Sequence, residues 1–172
     1  MKNKTLLSIF FIVFIYANMA YAEQLRKMAA FEDWVVFKST NLYQDPICYA
    51  IATPYRTRAF DGLRDLPYIA IKQEKSGEFM ISATPGFSMN KKLPVEIGVG
   101  IKKFDLARRT TEFTWTDSYI QDNTLIENFL QNNDFFTMRT YSKENKTALD
   151  YYSLHGLKNA LNYMKKGKCA QN

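Results

Sequence analysis

The dominant hydrophobic period along the chain is two. Phe79, Ile81 and Ala83 alternate with Glu78, Met80 and Ser82. Val95, Ile97 and Val99 alternate with Glu96, Gly98 and Gly100, and Phe113 and Trp115 with Glu112, Thr114 and Thr116. An extended strand sends successive side chains to opposite faces, so this alternation predicts strands with one buried face. Further strand-like runs cover 34–39, 47–53, 67–73, 135–142 and 147–153. Asp45-Pro46, Lys75-Ser76-Gly77, Thr84-Pro85-Gly86 and Lys143-Glu144-Asn145 supply turn chemistry between them. Short strands at this spacing predict a mostly β chain, an antiparallel sandwich or barrel.

Two segments follow a helical period instead. Leu125, Ile126, Phe129 and Leu130 share one face, with Asp122 or Thr124 as the expected cap and Glu127 three residues after Thr124. Leu157, Ala160, Leu161 and Met164 form a second stripe. Lys165 and Lys166 follow in its last turn, and Gly167 is placed to end it. The expected architecture is a β-sandwich with one short internal helix and a C-terminal helix. No repeat, linker or low-complexity stretch interrupts it.

The first 22 residues stand apart. Lys2 and Lys4 precede a short apolar run, 6–17, which Asn18 breaks, and Ala20-Tyr21-Ala22 has the small–x–small pattern of a signal-peptidase site. This predicts a secretory signal peptide, 1–22, cleaved between Ala22 and Glu23, leaving one domain over 23–172. The run is short for a membrane span of about 20 residues. The expected product is therefore an exported protein with no transmembrane segment after cleavage. Of the formal net charge of +6, loss of Lys2 and Lys4 leaves +4.

Export changes the reading of the cysteines. The chain has two, Cys48 and Cys169. In an oxidising compartment a lone pair is most simply one disulfide. Two buried thiols, or a catalytic cysteine with His155 as base, are the alternatives.

The search for chemistry yields little. His155 is the only histidine, no Gly-x-Ser-x-Gly elbow or Gly-rich phosphate loop is present, and no His, Cys or carboxylate cluster suggests a metal. Asp61 and Asp65 flank Gly62 as a carboxylate pair, better explained by loop solvation than by glycosidase chemistry. No catalytic residue, cofactor or metal is expected. Positive charge is scattered in doublets, which argues against a nucleic-acid stripe. Arg56, Arg58 and Arg64 do gather in one expected loop among Tyr55, Phe60 and Tyr68. Ordinary surface charge is the simpler reading. The sharper one is an interaction surface for an anionic partner such as a lipid head group, a glycan or an acidic protein.

Several residues together resemble a known family. They are Asp33-Trp34-Val35-Val36, Ile47-Cys48-Tyr49-Ala50 with Pro54, Arg64-Asp65 with Pro67-Tyr68, and the central Trp115. The end reads Asp150-Tyr151-Tyr152-Ser153-Leu154-x-Gly156, then Ala160-Leu161 and a closing Cys169. In this order they resemble the invasion-associated locus B family of exported bacterial proteins, over nearly the whole mature chain. The resemblance implies a compact β-sandwich at the periplasm or outer membrane, in a family some of whose members are linked to host-cell invasion. It brings no catalytic residue or cofactor, and it carries over only Cys48 and Cys169, as a pair. The chain departs from the family in its aromatic, Lys- and Asn-rich composition and in His155. The expected function is a non-enzymatic binding module for an envelope or host-surface component. The alternatives are an envelope-maintenance or stress factor without a host ligand, and a hydrolase using His155.

Overall fold

The structure, a computed structural model, describes residues 24–41, 44–60, 62–132 and 134–167. The expected signal peptide, the Ala22–Glu23 cleavage site, Asp61 and Cys169 lie outside the described residues.

Strands β1 (Gln24–Phe31), β2 (Trp34–Asn41), β3 (Gln44–Ala52), β5 (Tyr68–Gln73), β6 (Phe79–Thr84), β9 (Arg108–Arg109) and β10 (Thr114–Trp115) form one antiparallel sheet, in the order β1-β2-β3-β5-β6-β10-β9. Strands β4 (Arg56–Arg58), β7 (Glu96–Val99), β8 (Lys102–Asp105), β11 (Phe135–Tyr141) and β12 (Thr147–Ser153) form the second, in the order β4-β12-β11-β7-β8. The chain is thus mostly β, with helix α1 (Tyr119–Gln131) inside it and α2 (Leu157–Lys165) near the end. This is the sandwich with two helices that the periodicity predicts.

The core lies between the two sheets. Phe79, Ile81 and Ala83 are buried, as are Val95, Ile97 and Val99. Phe136 stacks on Tyr152 at 5.0 Å and lies 4.4 Å from Phe129 of α1. Trp34 of β2 reaches across the sandwich, and its indole N–H donates to the Ser153 carbonyl of β12 at 3.0 Å. A buried indole with its one donor satisfied adds large apolar area without a polar penalty. All four residues of the α2 stripe are buried, and α2 packs on β1, β2 and β3. Gly167 adopts a positive φ of 69° and bonds back to Met164, which ends the helix as expected.

Three expectations are corrected. In β10 the phase is inverted: Thr114 and Thr116 are buried, whereas Phe113 is 37% exposed. The threonine hydroxyls make this inward position inexpensive, because Thr114 donates to Leu106 and Arg108 carbonyls and Thr116 to Asp122. Helix α1 begins before the expected caps. Ser118 is the N-cap and accepts from the Gln121 N–H, while Asp122 is buried beneath the first turn. On the same helix Leu130 faces outward, 41% exposed, because the helix touches the sheet along 122, 125, 126, 128 and 129.

Candidate interaction surface

The expected arginine loop contains a strand. Residues 56–58 pair with β12, Arg56 opposite Tyr151 and Arg58 opposite Leu149. This places β4 at one edge of the smaller sheet. Period two then separates its side chains. Arg56 and Arg58 emerge on the outer face, and both guanidinium carbons lie close to the Tyr151 ring, at 5.7 and 5.6 Å from its centroid. Thr57 turns the other way and donates its hydroxyl to Asp150 at 2.6 Å. Tyr55 packs edge-on against Tyr151 at 6.5 Å, and Phe135 lies 5.7 Å from the same ring.

Among the described residues, no ion pair engages Arg56 or Arg58. Two like charges two residues apart repel, and the aromatic ring offsets part of that cost, at about 0.5–1 kcal/mol per exposed cation–π contact. From Tyr151 the same row runs across the outer face through Thr137, Gly98 and Lys103. Gly98 carries no side chain there, and a groove of about 310 Å³ opens beside it, lined by Lys102, Phe135 and Arg139 and by the acids Glu96 and Asp134, with Lys103 paired to Glu96 at 3.1 Å. The face therefore combines fixed aromatic surface with unneutralised guanidinium groups, which suits anionic groups carried on a larger partner.

Arg64 does not belong to this surface, and that expectation is corrected. Its guanidinium grips Asp150 with both nitrogens, Nη1 to Oδ2 at 2.9 Å and Nη2 to Oδ1 at 2.8 Å, and also donates to Thr57 and to the Pro85 carbonyl. Its side chain is 12% exposed and that of Asp150 0%. The reason is electrostatic. Asp150 points into the sandwich from β12, and a buried carboxylate requires a hydrogen-bonded cation. The segment following β4 folds back to supply one. Beside this pair, burial pushes the Tyr152 phenol well above its usual range, with the Asp150 charge adding to the effect and Arg64 opposing it.

His155 is exposed just before α2, its backbone N–H bonded to the Ser153 hydroxyl at 3.1 Å. It lines neither of two clefts formed by described residues. Asp65 is exposed too, and its backbone N–H donates to the Gly86 carbonyl. Among the described residues no group of three or more His, Cys, Asp or Glu is placed to hold a metal. Cys48 is 5% exposed on β3, and the described residues include no free cysteine. No described helix is long and apolar enough to cross a membrane. The tyrosine platform escaped sequence reasoning because Tyr151 lies far along the chain from Arg56, and only the β4–β12 pairing joins them.

No family model matches the chain, and a comparison with curated proteins also finds no match. Among solved structures, the fold is similar to the crystal structure of invasion associated protein B from Bartonella henselae, with a TM-score of 0.60 and 13% sequence identity. The match covers 81% of this chain and 95% of that one. At this identity the similarity establishes a shared fold, the one implied by the Cys-Tyr-Ala and Tyr-Ser-Leu-x-Gly elements.

Proposed function

We propose that this chain is an exported, non-enzymatic binding module that engages an anionic group on an envelope or host-surface component through Arg56, Tyr151 and Arg58. The carrying observation is the pair of guanidinium groups on a three-residue edge strand, held against one tyrosine ring with no ion-pair partner among the described residues. Charge on an edge strand also discourages pairing with other chains. That role alone asks for neither a tyrosine support nor flanking aromatic rings. The fold shared with an invasion associated protein B supports an interaction role in the same broad setting. The exposed position of His155 just before α2 supports the non-enzymatic reading.

The test is recovery of envelope and host-membrane components by the mature protein and by its Arg56→Ala, Arg58→Ala variant. Arg64 is left intact, because its loss would destabilise the fold. Recovery is expected to fall at least about tenfold, by analogy with the loss of two charged anchors, with thermal unfolding unchanged. Equal recovery by both proteins would remove this face as the binding surface.

A further inference from the structure

The connection that follows β4 carries a second kind of surface, apolar rather than cationic. The segment 85–90, which follows β6, is tied to three other connections at one end of the sandwich. The Asp65 N–H donates to the Gly86 carbonyl at 2.8 Å, the Met89 N–H to Thr111 at 2.6 Å, and the Lys143 N–H to Ser88 at 3.0 Å. The Asn90 side chain donates to Asn145 at 2.7 Å. At this end Leu63 is 102% exposed and Leu66 70% exposed, with Phe113 nearby at 37%. Leu63, Leu66 and Phe113 rim an open cleft of about 610 Å³ that reaches Tyr68 and Phe87.

The leucines flank two anchored residues. Between them, Arg64 is anchored on Asp150 and on the Pro85 carbonyl, and Asp65 is anchored on Gly86. Gly86 has a φ of 75°, and a Cβ there would lie 2.0 Å from the Asp65 carbonyl oxygen, so the two segments approach as closely as glycine alone permits. Phe60, at the start of the loop, stacks on Phe87 at 4.7 Å. Anchoring of residues 64 and 65 leaves the side chains on either side directed outward. Preorganised apolar tips lose little further freedom on docking.

We propose that this end of the sandwich docks onto an anionic lipid bilayer, with Leu63 and Leu66 entering the head-group boundary. Exposed Lys91, Lys92, Lys143 and Lys146 stand on the connections around them, against Asp65, Glu112 and Glu144 and, by sequence, Asp61. Glu144 is turned back onto the Ser142 hydroxyl at 2.9 Å. Apolar tips among lysines match the layering of a bilayer surface, acyl carbon beneath phosphate. Two projecting leucines offer far less area than the roughly 800 Å² per partner of a stable protein interface. The bilayer is therefore the better occupant than a second copy. The substitutions that test it leave Arg56, Arg58 and Tyr151 in place, so either proposal can fail alone.

The experiment is vesicle flotation of the mature chain, with phosphatidylcholine alone and with phosphatidylcholine containing phosphatidylglycerol. The wild type is expected to float with the anionic vesicles, less so as salt rises. Leu63→Ser with Leu66→Ser is expected to weaken binding by about tenfold or more, given the apolar area withdrawn. Lys91→Glu with Lys92→Glu is expected to remove the preference for anionic lipid. Leu63→Trp provides a second readout, a blue shift of the added fluorescence on binding. Three outcomes overturn the proposal: no flotation of the wild type, equal flotation of the leucine variant, or a wild-type dimer that the leucine variant converts to monomer.

Discussion

Asp150 is the one carboxylate among the described residues with no exposed side-chain surface in an ion pair, and Arg64 answers it with a planar, two-pronged contact. Lysine offers a single point of charge and cannot reproduce that fork. Arg64→Ala leaves the buried charge uncompensated and frees the leucine loop from Pro85, so it is expected to cost about 3–5 kcal/mol in denaturant unfolding. Arg64→Lys is expected to recover only part of this. A cost below about 1 kcal/mol for the alanine variant would mean that water replaces the guanidinium, placing Arg64 among ordinary surface cations. At residue scale, then, three arginines that look equivalent along the chain divide into two free for a partner and one spent on the fold.

At the scale of elements, Asp122 shows how α1 is fixed to the larger sheet. Strand β10 pairs with β6 only at Ala83 and Ser82, so β6 runs past its short neighbour. The Asp122 carboxylate takes over there, accepting from the Ile81 N–H at 2.8 Å and from Thr116 at 2.6 Å. Burial raises its pKa above the usual value, and those two hydrogen bonds oppose the shift. A carboxyl group with a raised folded pKa binds its proton more tightly when folded. Its contribution to stability is greatest below the ordinary value and is lost as pH rises through the folded pKa. Asp122→Asn retains an acceptor oxygen and lacks the titration, so its stability should equal or exceed that of wild type near about pH 7 and lose the decline seen above about pH 4. Asp122→Ala orphans the Ile81 N–H and should cost about 1–3 kcal/mol at both pH values. Denaturant unfolding of the three proteins at the two pH values decides the matter. An identical pH profile for wild type and the Asn variant would refute the titration.

Legibility differed from element to element for physical reasons. Runs such as 79–83 and 95–99 alternate cleanly because one side faces the core and the other faces water. The 113–116 run alternates equally well, yet it lies in the opposite phase, since the buried threonines find carbonyl and carboxylate partners that periodicity cannot register. Strand β4 has three exposed polar residues and no apolar rhythm, so its existence depends on β12 alone. Strand β1 carries Arg26 and Lys27 and a register shift between Lys27 and Ala29, which erases the period of two. The candidate surface was half legible. Clustering pointed to the arginines, but the partner of Arg64 lies 86 residues away in sequence.

For the molecule as a whole, the remaining question is what holds the end of the chain to the sheet. Helix α2 covers β1, β2 and β3, and its last turn lies over a definite row. The Lys165 ammonium sits 5.5 Å from the centre of the Phe79 ring. Phe79 pairs with Gln73, Gln73 with Cys48, and Cys48 with Lys38, so the helix end overlies the row that contains Cys48. Adjacent strands are about 4.8 Å apart, so Cys48 lies roughly 10 Å from Phe79 along that row. The four residues from Lys165 to Cys169 can span about 13 Å when extended. We therefore propose a Cys48–Cys169 disulfide, closing a loop that contains most of the domain. The chain-entropy account assigns such a loop about 4–5 kcal/mol, often less when measured. The exported protein should have an intact mass two hydrogens below the dithiol, to the order of ~2 Da, as expected for one structural disulfide. Reduction, or Cys169→Ser, should lower the unfolding midpoint without abolishing the fold, because the sandwich core is complete without the bond. Alkylation of both cysteines in unreduced protein would eliminate the bridge, and the α2 stripe of Leu157, Ala160, Leu161 and Met164 would then be the main anchor of the C-terminal helix.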